Sequence, residues 1–587
     1  MPRRTPPVAP WWNRAAAIAR GLGAATVPPA DRPDRALGRT MVEPRVARLL
    51  TALFLAVVTV APALEMVRHA TSAGELWPGT LGRLGERLGR ALRQQGPLAA
   101  NRLLLSEMVR FEDRLEESSV LVATVVPHAR VLAFGALGIG GPEVYPGRDR
   151  WLFYRPDVEH VTGPGFLDPS QLARRGRAGD PWERPPRPDP RRALLRFSDD
   201  LAARGIGLVV MPTPVKAAVH PERLSWRSSP RERPLDNPST EALMADLEAV
   251  GIAVFSPLTP LPEAGDGPWY LIGDSHWTPA TVDRVAAELA RWLEQRFALP
   301  SATAAWRRAP YRVAGRGDLA QMLELPAWVE GLLPRQQVEV EQVRTSAGAP
   351  WRPERGAPVL LLGDSFTNVF SRPDLGWGVG GGLAEQVAYH LRRPVDRIAI
   401  NAGGAFASRE QLARELARDP HRLAGTQVVV LQFAARELSW GDWRLLPLPP
   451  PPQPADRPAA TAEAANAAPR APVGERWLEG TVRALGPMPD PRETPYRDAI
   501  VGIHLTAVEP AAGEAGVLSR EVLLYAWAMR DRTHTPAAEL RPGDRIQVRY
   551  VPWAEVAPEL ESYQRLEVDD SATLLLEALW AHDWERR

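Results

Sequence analysis

From Arg191 onward the chain alternates segments of helical period with short apolar runs. A helix carrying Leu194, Leu195, Phe197 and Leu201 precedes the run 207–211, and a helix around Leu243, Leu247 and Val250 precedes the run 252–255. The alternation continues with a helix over 279–297, a strand at 359–362, a helix after Gly382, a strand at 397–401, a helix after Ser408 and a strand at 428–432. Continuous apolar runs separated by helices are the pattern of βαβ units, in which a parallel sheet is covered on both faces. The pattern therefore predicts an α/β domain built on a five-stranded parallel sheet. Residues 300–355 interrupt the rhythm and read as an insertion or a substrate-facing loop. Beyond residue 475, alternating runs at 480–483, 500–505, 522–527 and 544–550 predict a small β-barrel of OB-like size.

Ahead of the sheet, Leu81, Leu84, Leu88 and Leu92 fall on one helical face, and Leu103, Leu104, Met108 and Leu115 on another, as packing helices do. The aromatic run Trp151-Leu152-Phe153-Tyr154 reads as a strand, followed by a loop rich in Pro and Arg to residue 190. Further upstream, the stretch from Leu49 to Leu64 has no charge and is bracketed by Arg45, Arg48, Glu65 and Arg68. At about 1.5 Å per residue it is shorter than the roughly 20 residues a bilayer requires. Val46, Ala47, Met66 and Val67 lengthen it if the flanking charges snorkel; a buried core helix is the alternative. Read as a span, it divides the chain into a poorly ordered, arginine-rich cytoplasmic segment (1–45), a transmembrane anchor (46–67) and a helical lead-in (75–145). These are followed by the α/β domain (146–446), a Pro/Ala-rich linker (447–474) and the β-rich domain (475–587).

Composition narrows the function classes. Lys and Arg number 71 against 70 Asp and Glu, which removes the global electrostatic case for a nucleic-acid partner. There are 0 cysteines, so disulfide, thiolate and cysteine-zinc chemistry are excluded. No Walker pattern is present, and no cofactor or metal is expected.

The candidate chemistry lies where the apolar runs stop. The strand at 359–362 ends in Gly363-Asp364-Ser365, which places Ser365 at the carboxyl edge of the sheet, where ligands of such sheets gather. A serine hydroxyl needs a base and an orienting carboxylate. Asp274-Ser275-His276-Trp277 supplies both, just ahead of Thr278 and Pro279, an N-cap and first-turn residue for the next helix. The two-residue spacing lets Asp274 bond His276 Nδ1 and leaves Nε2 for the serine; the bland alternative is a pair of pre-helix polar residues. Asp364, though adjacent to the serine, is better suited to holding the turn. For an oxyanion hole the candidates are the Ser365 N–H, Asn401, Gly403, Gly404 and the glycine run at 378–382. Substrate-binding candidates are Arg436, Trp277 and Lys216. Arg436 is either a clamp for a uronate carboxylate or a surface arginine. Lys216, the chain's one lysine, is a solvated turn residue, an ion-pair partner near the site or a contact for an acidic glycan.

In their order along the chain, Trp151 to Tyr154, Pro212 to Lys216, Asp274 to Trp277, Gly363 to Phe366 and Arg436-Glu437-Leu438 resemble the alginate O-acetyltransferases of the AlgJ/AlgX type. Those proteins have SGNH-hydrolase-like domains, and the resemblance covers roughly residues 145–445. It implies Ser365 as nucleophile, His276 as base and Asp274 as its orienter. It also implies work in the periplasm at the cell inner membrane, a membrane-bound O-acyltransferase as the partner that supplies acetyl groups, and an acidic or neutral exopolysaccharide as acceptor. The order departs from the wider hydrolase superfamily, because Asp-x-His precedes the serine and no Gly-x-Asn-Asp block is present. An O-acetyl esterase and a non-catalytic polysaccharide-binding or scaffolding subunit are the alternatives.

Overall fold

A computed structural model describes residues 44–55, residue 59 and most of 78–586, apart from short breaks and the stretches 109–118, 179–184, 262–266, 453–475 and 511–518. Residues 1–43 of the expected cytoplasmic segment, much of the 46–67 span and the linker beyond residue 452 thus lie outside the described residues. Among the described residues no helix is long and apolar enough to cross a membrane. The chain divides into two units, Met1–Leu121 and Val122–Arg587. In the first, the helix Pro78–Gln95 forms where the leucine spacing predicts it.

In the second unit, a helix that begins at the unit boundary (Val120–Leu137) leads into a short antiparallel pair, β1 (Val144–Pro146) and β2 (Leu152–Tyr154). Five all-parallel strands follow, β3 (Gly207–Thr213), β4 (Ala253–Val254), β7 (Val359–Gly363), β8 (Val395–Ala399) and β9 (Val428–Ala434), in the spatial order β4-β3-β9-β7-β8. Alternate residues of the three central strands feed two separate cores. Val209, Met211, Val359, Leu361, Val428 and Val430 pack with helices α3 (Pro279–Arg296) and α4 (Leu383–Leu391). Leu208, Val210, Leu360, Leu362, Val429 and Leu431 pack on the other face with α1 (Pro190–Ala202), α2 (Thr240–Ala249) and α5 (Ala407–Arg418). Burial on both faces is why these runs are apolar throughout instead of alternating.

The interruption at 300–355 is a long antiparallel hairpin, β5 (Trp306–Gly315) with β6 (Gln336–Thr345). Its tip folds a short helix, Asp318–Met322, back towards the sheet. Strands β10 (Arg476–Leu485), β11 (Ala499–Pro510), β12 (Glu521–Arg530), β14 (Arg545–Pro552) and β16 (Glu577–Arg586) close a five-stranded barrel in the ring order β10-β11-β12-β16-β14; β13 (Thr533–His534) and β15 (Gln564–Leu566) are short additions. The closing strand β16 carries Glu577, Asp583, Glu585 and Arg586 and was not predicted, because its apolar residues cluster at 578–581, with Trp584 set among charges. The barrel is seated on α5 through a buried ion pair, Arg414 Nη1 to Glu567 Oε2 at 3.2 Å. Tyr525 and Trp553 belong to the barrel's aromatic packing.

Candidate active site

The turn after β7 is built around two constraints. A Cβ at position 363 would collide with Thr367 Oγ1, so only glycine lets the chain turn there. Asp364 then caps the short helix Ser365–Asn368, accepting the Phe366 N–H at 2.9 Å, and its other oxygen accepts the Ala434 N–H of β9 at 2.8 Å. Asp364 thus stitches two neighbouring strand ends and presents Ser365 as the first helical residue, whose N–H has no intrahelical acceptor.

His276 reaches Ser365 from the turn between Tyr270 and Trp277, which pair as an isolated antiparallel bridge. Its Nε2 lies 2.8 Å from Ser365 Oγ, and its Nδ1 lies 2.7 Å from Asp274 Oδ1. The Asp274 carboxylate also accepts the His276 N–H at 3.0 Å, the Trp377 indole N–H at 2.7 Å and the Asp318 N–H at 3.0 Å. Burial works to raise the pKa of Asp274, but the charge of His276 and these bonds outweigh it and hold the carboxyl below its ordinary range. For His276, burial works downward, and the charge and hydrogen bond of Asp274 overcome it and raise the imidazole. Asp274, His276 and Asp318 offer possible ligand atoms within 4.8 Å of one another. The Asp274 oxygens are directed at N–H donors, an arrangement for orienting an imidazole.

Beneath this line, Lys216 donates to the carbonyls of Leu152, Ile272 and Asp274 at 2.6, 2.7 and 2.9 Å. Burial draws its pKa down to about 7, against the pull of Asp274, Asp318 and Asp157.

Ser365 and His276 open on a cavity of about 150 Å³, also lined by Tyr154, Ser275, Asp318, Gly404, Arg436 and Glu437. Arg436 pairs with the fully buried Asp157 at 2.9 Å and lies over the rings of Tyr154 and Phe366. Burial raises Glu437 to about 7 and lifts the Tyr154 hydroxyl well above its ordinary value. Asp318 is raised to about 6 by burial first and by the Asp274 charge second, and it accepts both the N–H and the hydroxyl of Ser275.

The structure therefore brings Ser365, His276, Asp274 and Arg436 to one place, and sets other expected residues behind it. Asn401 is buried, accepts a hydrogen bond from Asn368 at 3.0 Å and is not among the lining residues; Gly404, not Gly403, forms that part of the wall. Trp277, expected at the substrate, is a core residue whose indole donates to the Phe366 carbonyl at 3.0 Å. Lys216 is likewise enclosed, its donors all directed at backbone carbonyls. The glycine run at 378–382 packs under the hairpin, with Gly380 accepting from Val343 and Gly381 donating to Phe370. Asp318 and Trp377 were not anticipated. The one sequence cue for Asp318 is the Gly317-Asp318 pair ahead of an apolar turn, Gly317 holding a φ of +98°.

A parallel sheet with serine, histidine and carboxylate gathered at its strand ends defines the class of SGNH hydrolase-like domains. Residues 144–435 match the family model of the SGNH hydrolase-like domain of acetyltransferase AlgX. The chain belongs to this AlgJ/AlgX family, and it is an SGNH-like O-acetyltransferase. A curated relative, the probable alginate O-acetylase AlgJ of Azotobacter vinelandii, is 25% identical over 342 residues, spanning 56% of this chain and 78% of the relative. Among solved structures, the O-acetyltransferase domain of Pseudomonas putida AlgJ matches at 23% identity with a TM-score of 0.38, over 51% of this chain and 92% of that one. Pseudomonas aeruginosa AlgX matches at 14% identity with a TM-score of 0.34, over 64% and 74% of the two chains.

Proposed function

We propose that this chain takes an acetyl group onto Ser365 and passes it to a hydroxyl of an exopolysaccharide. The observation that carries the reading is the line from Asp274 Oδ1 through His276 to Ser365 Oγ, with contacts of 2.7 and 2.8 Å, opening on a cavity. A proton on Nδ1 is held by Asp274, so the Nε2 lone pair faces the hydroxyl. Nε2 takes the Ser365 proton as Oγ bonds to the acetyl carbonyl carbon, and the donor's leaving group departs with that proton. In the second half the sugar hydroxyl gives its proton to Nε2 while its oxygen bonds to the acetyl carbon. Oγ then leaves and recovers the proton. In this reading the Ser365 N–H and the positive charge of Arg436, both from residues that line the cavity, stabilise the oxyanion.

The acetyl-supplying partner in this reading is a membrane-bound O-acyltransferase. The uncharged run 49–64 supports a single helix at 46–67 that holds the domain on the periplasmic side of the inner membrane. The test uses the full chain in detergent with 4-nitrophenyl acetate. Acetate release is expected, and Ser365→Ala is expected to abolish it; undiminished turnover in that variant would sink the acetyl-enzyme. Adding oligosaccharide and weighing acetylated sugar against free acetate by mass spectrometry separates transfer from simple ester hydrolysis.

A further inference from the structure

A second cavity, of about 360 Å³, begins one helical turn away from the first. Arg436 and Glu437 line the catalytic cavity, and the short helix Glu437–Trp440 carries the chain on to Ser439 and Trp440, which line the second. The two cavities are thus lined from the two ends of one short helix.

The walls have the composition of a sugar site. Trp440 leaves 57% of its surface exposed at the edge of a concave opening whose lining is more apolar than polar and includes the side chains of Glu159, Thr162, Gln171 and Arg174, where a monomer has no packing reason to keep an indole. Beside it stand Arg174, exposed and without an ion pair among the described residues, and the amide of Gln171. Arg175 is occupied differently, donating to the carbonyls of Leu438 and Gly441 at 3.1 and 3.0 Å, and so pins the backbone that carries Trp440. The floor is Phe166, stacked on His160 at 6.3 Å. His160 Nδ1 lies 2.6 Å from Ser439 Oγ, and burial, aided by the Arg436 charge, lowers its pKa to about 4, which keeps the floor neutral.

We infer that this cavity is a subsite for a neighbouring ring of an anionic glycan. The indole of Trp440 meets the apolar face of the sugar and Arg174 meets its carboxylate. The inference rests on the proposal that the acetyl acceptor is an exopolysaccharide, and it adds that the chain of sugars runs along the helix Glu437–Trp440.

The test measures, on the full chain, affinity for size-fractionated alginate oligomers and for neutral β-1,4-glucan oligomers of equal length, together with kcat/KM for 4-nitrophenyl acetate. Trp440→Ala is expected to weaken alginate-oligomer binding by about tenfold or more, while Trp440→Phe stays within about threefold of the unsubstituted chain. Arg174→Gln is expected to lose about tenfold for alginate oligomers and to leave the neutral ones unchanged. Ester turnover should stay within about twofold in all three variants. Unchanged affinity in Trp440→Ala, equal binding of neutral and acidic oligomers, no oligomer binding at all, or a parallel fall in ester turnover and binding each overturns the subsite. Turnover surviving in Ser365→Ala would remove the acetyl-enzyme and leave the subsite standing, so the two readings fail separately.

Discussion

Replacing Asp318 with asparagine removes a carboxylate from the flank of His276 and keeps its shape. Asp318 Oδ2 lies 3.7 Å from His276 Nδ1, on the side of the ring that Asp274 already holds. The Ser275 N–H and hydroxyl donate to it at 2.7 and 2.5 Å. An asparagine oxygen can still accept the amide, and its NH2 can donate to the serine oxygen, so the turn is kept. Unit charges about 4 Å apart interact by about 4 kcal/mol at an effective dielectric of 20 and about 1 kcal/mol in bulk water. At about 1.36 kcal/mol per pKa unit this brackets the effect on His276 between about 1 and 3 units. The lower end applies, because Asp318 itself titrates near about 6 and shares its charge with the Ser275 hydroxyl. His276 must be neutral to accept the Ser365 proton, so lowering its pKa moves the acid limb of activity to lower pH. Asp318→Asn is therefore expected to shift that limb down by about one unit. The assay is kcat/KM for 4-nitrophenyl acetate from about pH 5 to about pH 9, with the Ser365→Ala background subtracted. A limb that stays in place or moves upward refutes the electrostatic reasoning. A plateau that collapses by more than about 100-fold assigns Asp318 to holding the geometry instead.

Asp274→Asn turns an NH2 towards donors that now meet a carboxylate, or forces the wrong tautomer on His276. A loss of about 10³- to 10⁴-fold in kcat is expected, checked by the same ester assay. Trp377→Phe removes one of the four hydrogen bonds on Asp274 and is expected to lower kcat by about tenfold with KM unchanged, measured in steady state; an unaltered kcat counts against the role of the indole. Lys216→Met strips the donor from three carbonyls and is expected to destabilise the fold. The folded pKa of about 7 lies below the unfolded 10.5, so between those values the unfolded chain binds more protons and the native protein gains stability as pH rises. The variant lacks that rise, and its deficit in denaturant unfolding should widen by about 2–3 kcal/mol from pH 6 to pH 9; a constant or narrowing gap refutes the assignment.

Much of the fold was legible because it is written in local pattern. The three central strands of the sheet are predominantly apolar since each is covered on both faces, and Thr278 and Pro279 begin α3 as their cap and first-turn chemistry requires. The fifth barrel strand escaped because closure, not alternation, defines it: β16 pairs with β12 on one side and β14 on the other. Trp277 and Lys216 misled for a related reason. A polar atom beside a motif reads the same whether it faces solvent or a backbone carbonyl, and only packing shows which.

By itself the sequence determined which segments form the sheet, that a strand ends on Gly363-Asp364-Ser365, and that Asp274 and His276 stand close enough in the chain to bond through a local turn. Tertiary structure alone decided what surrounds them. Trp377, 103 residues from Asp274, and Asp318, 44 residues away, complete its hydrogen bonds, while Arg436 and Asp157 meet across 279 residues. Such contacts have no period and no fixed spacing. They arise where burial leaves a charge or an N–H that must find a partner, and the partner's identity depends on which loops the packed sheet brings together.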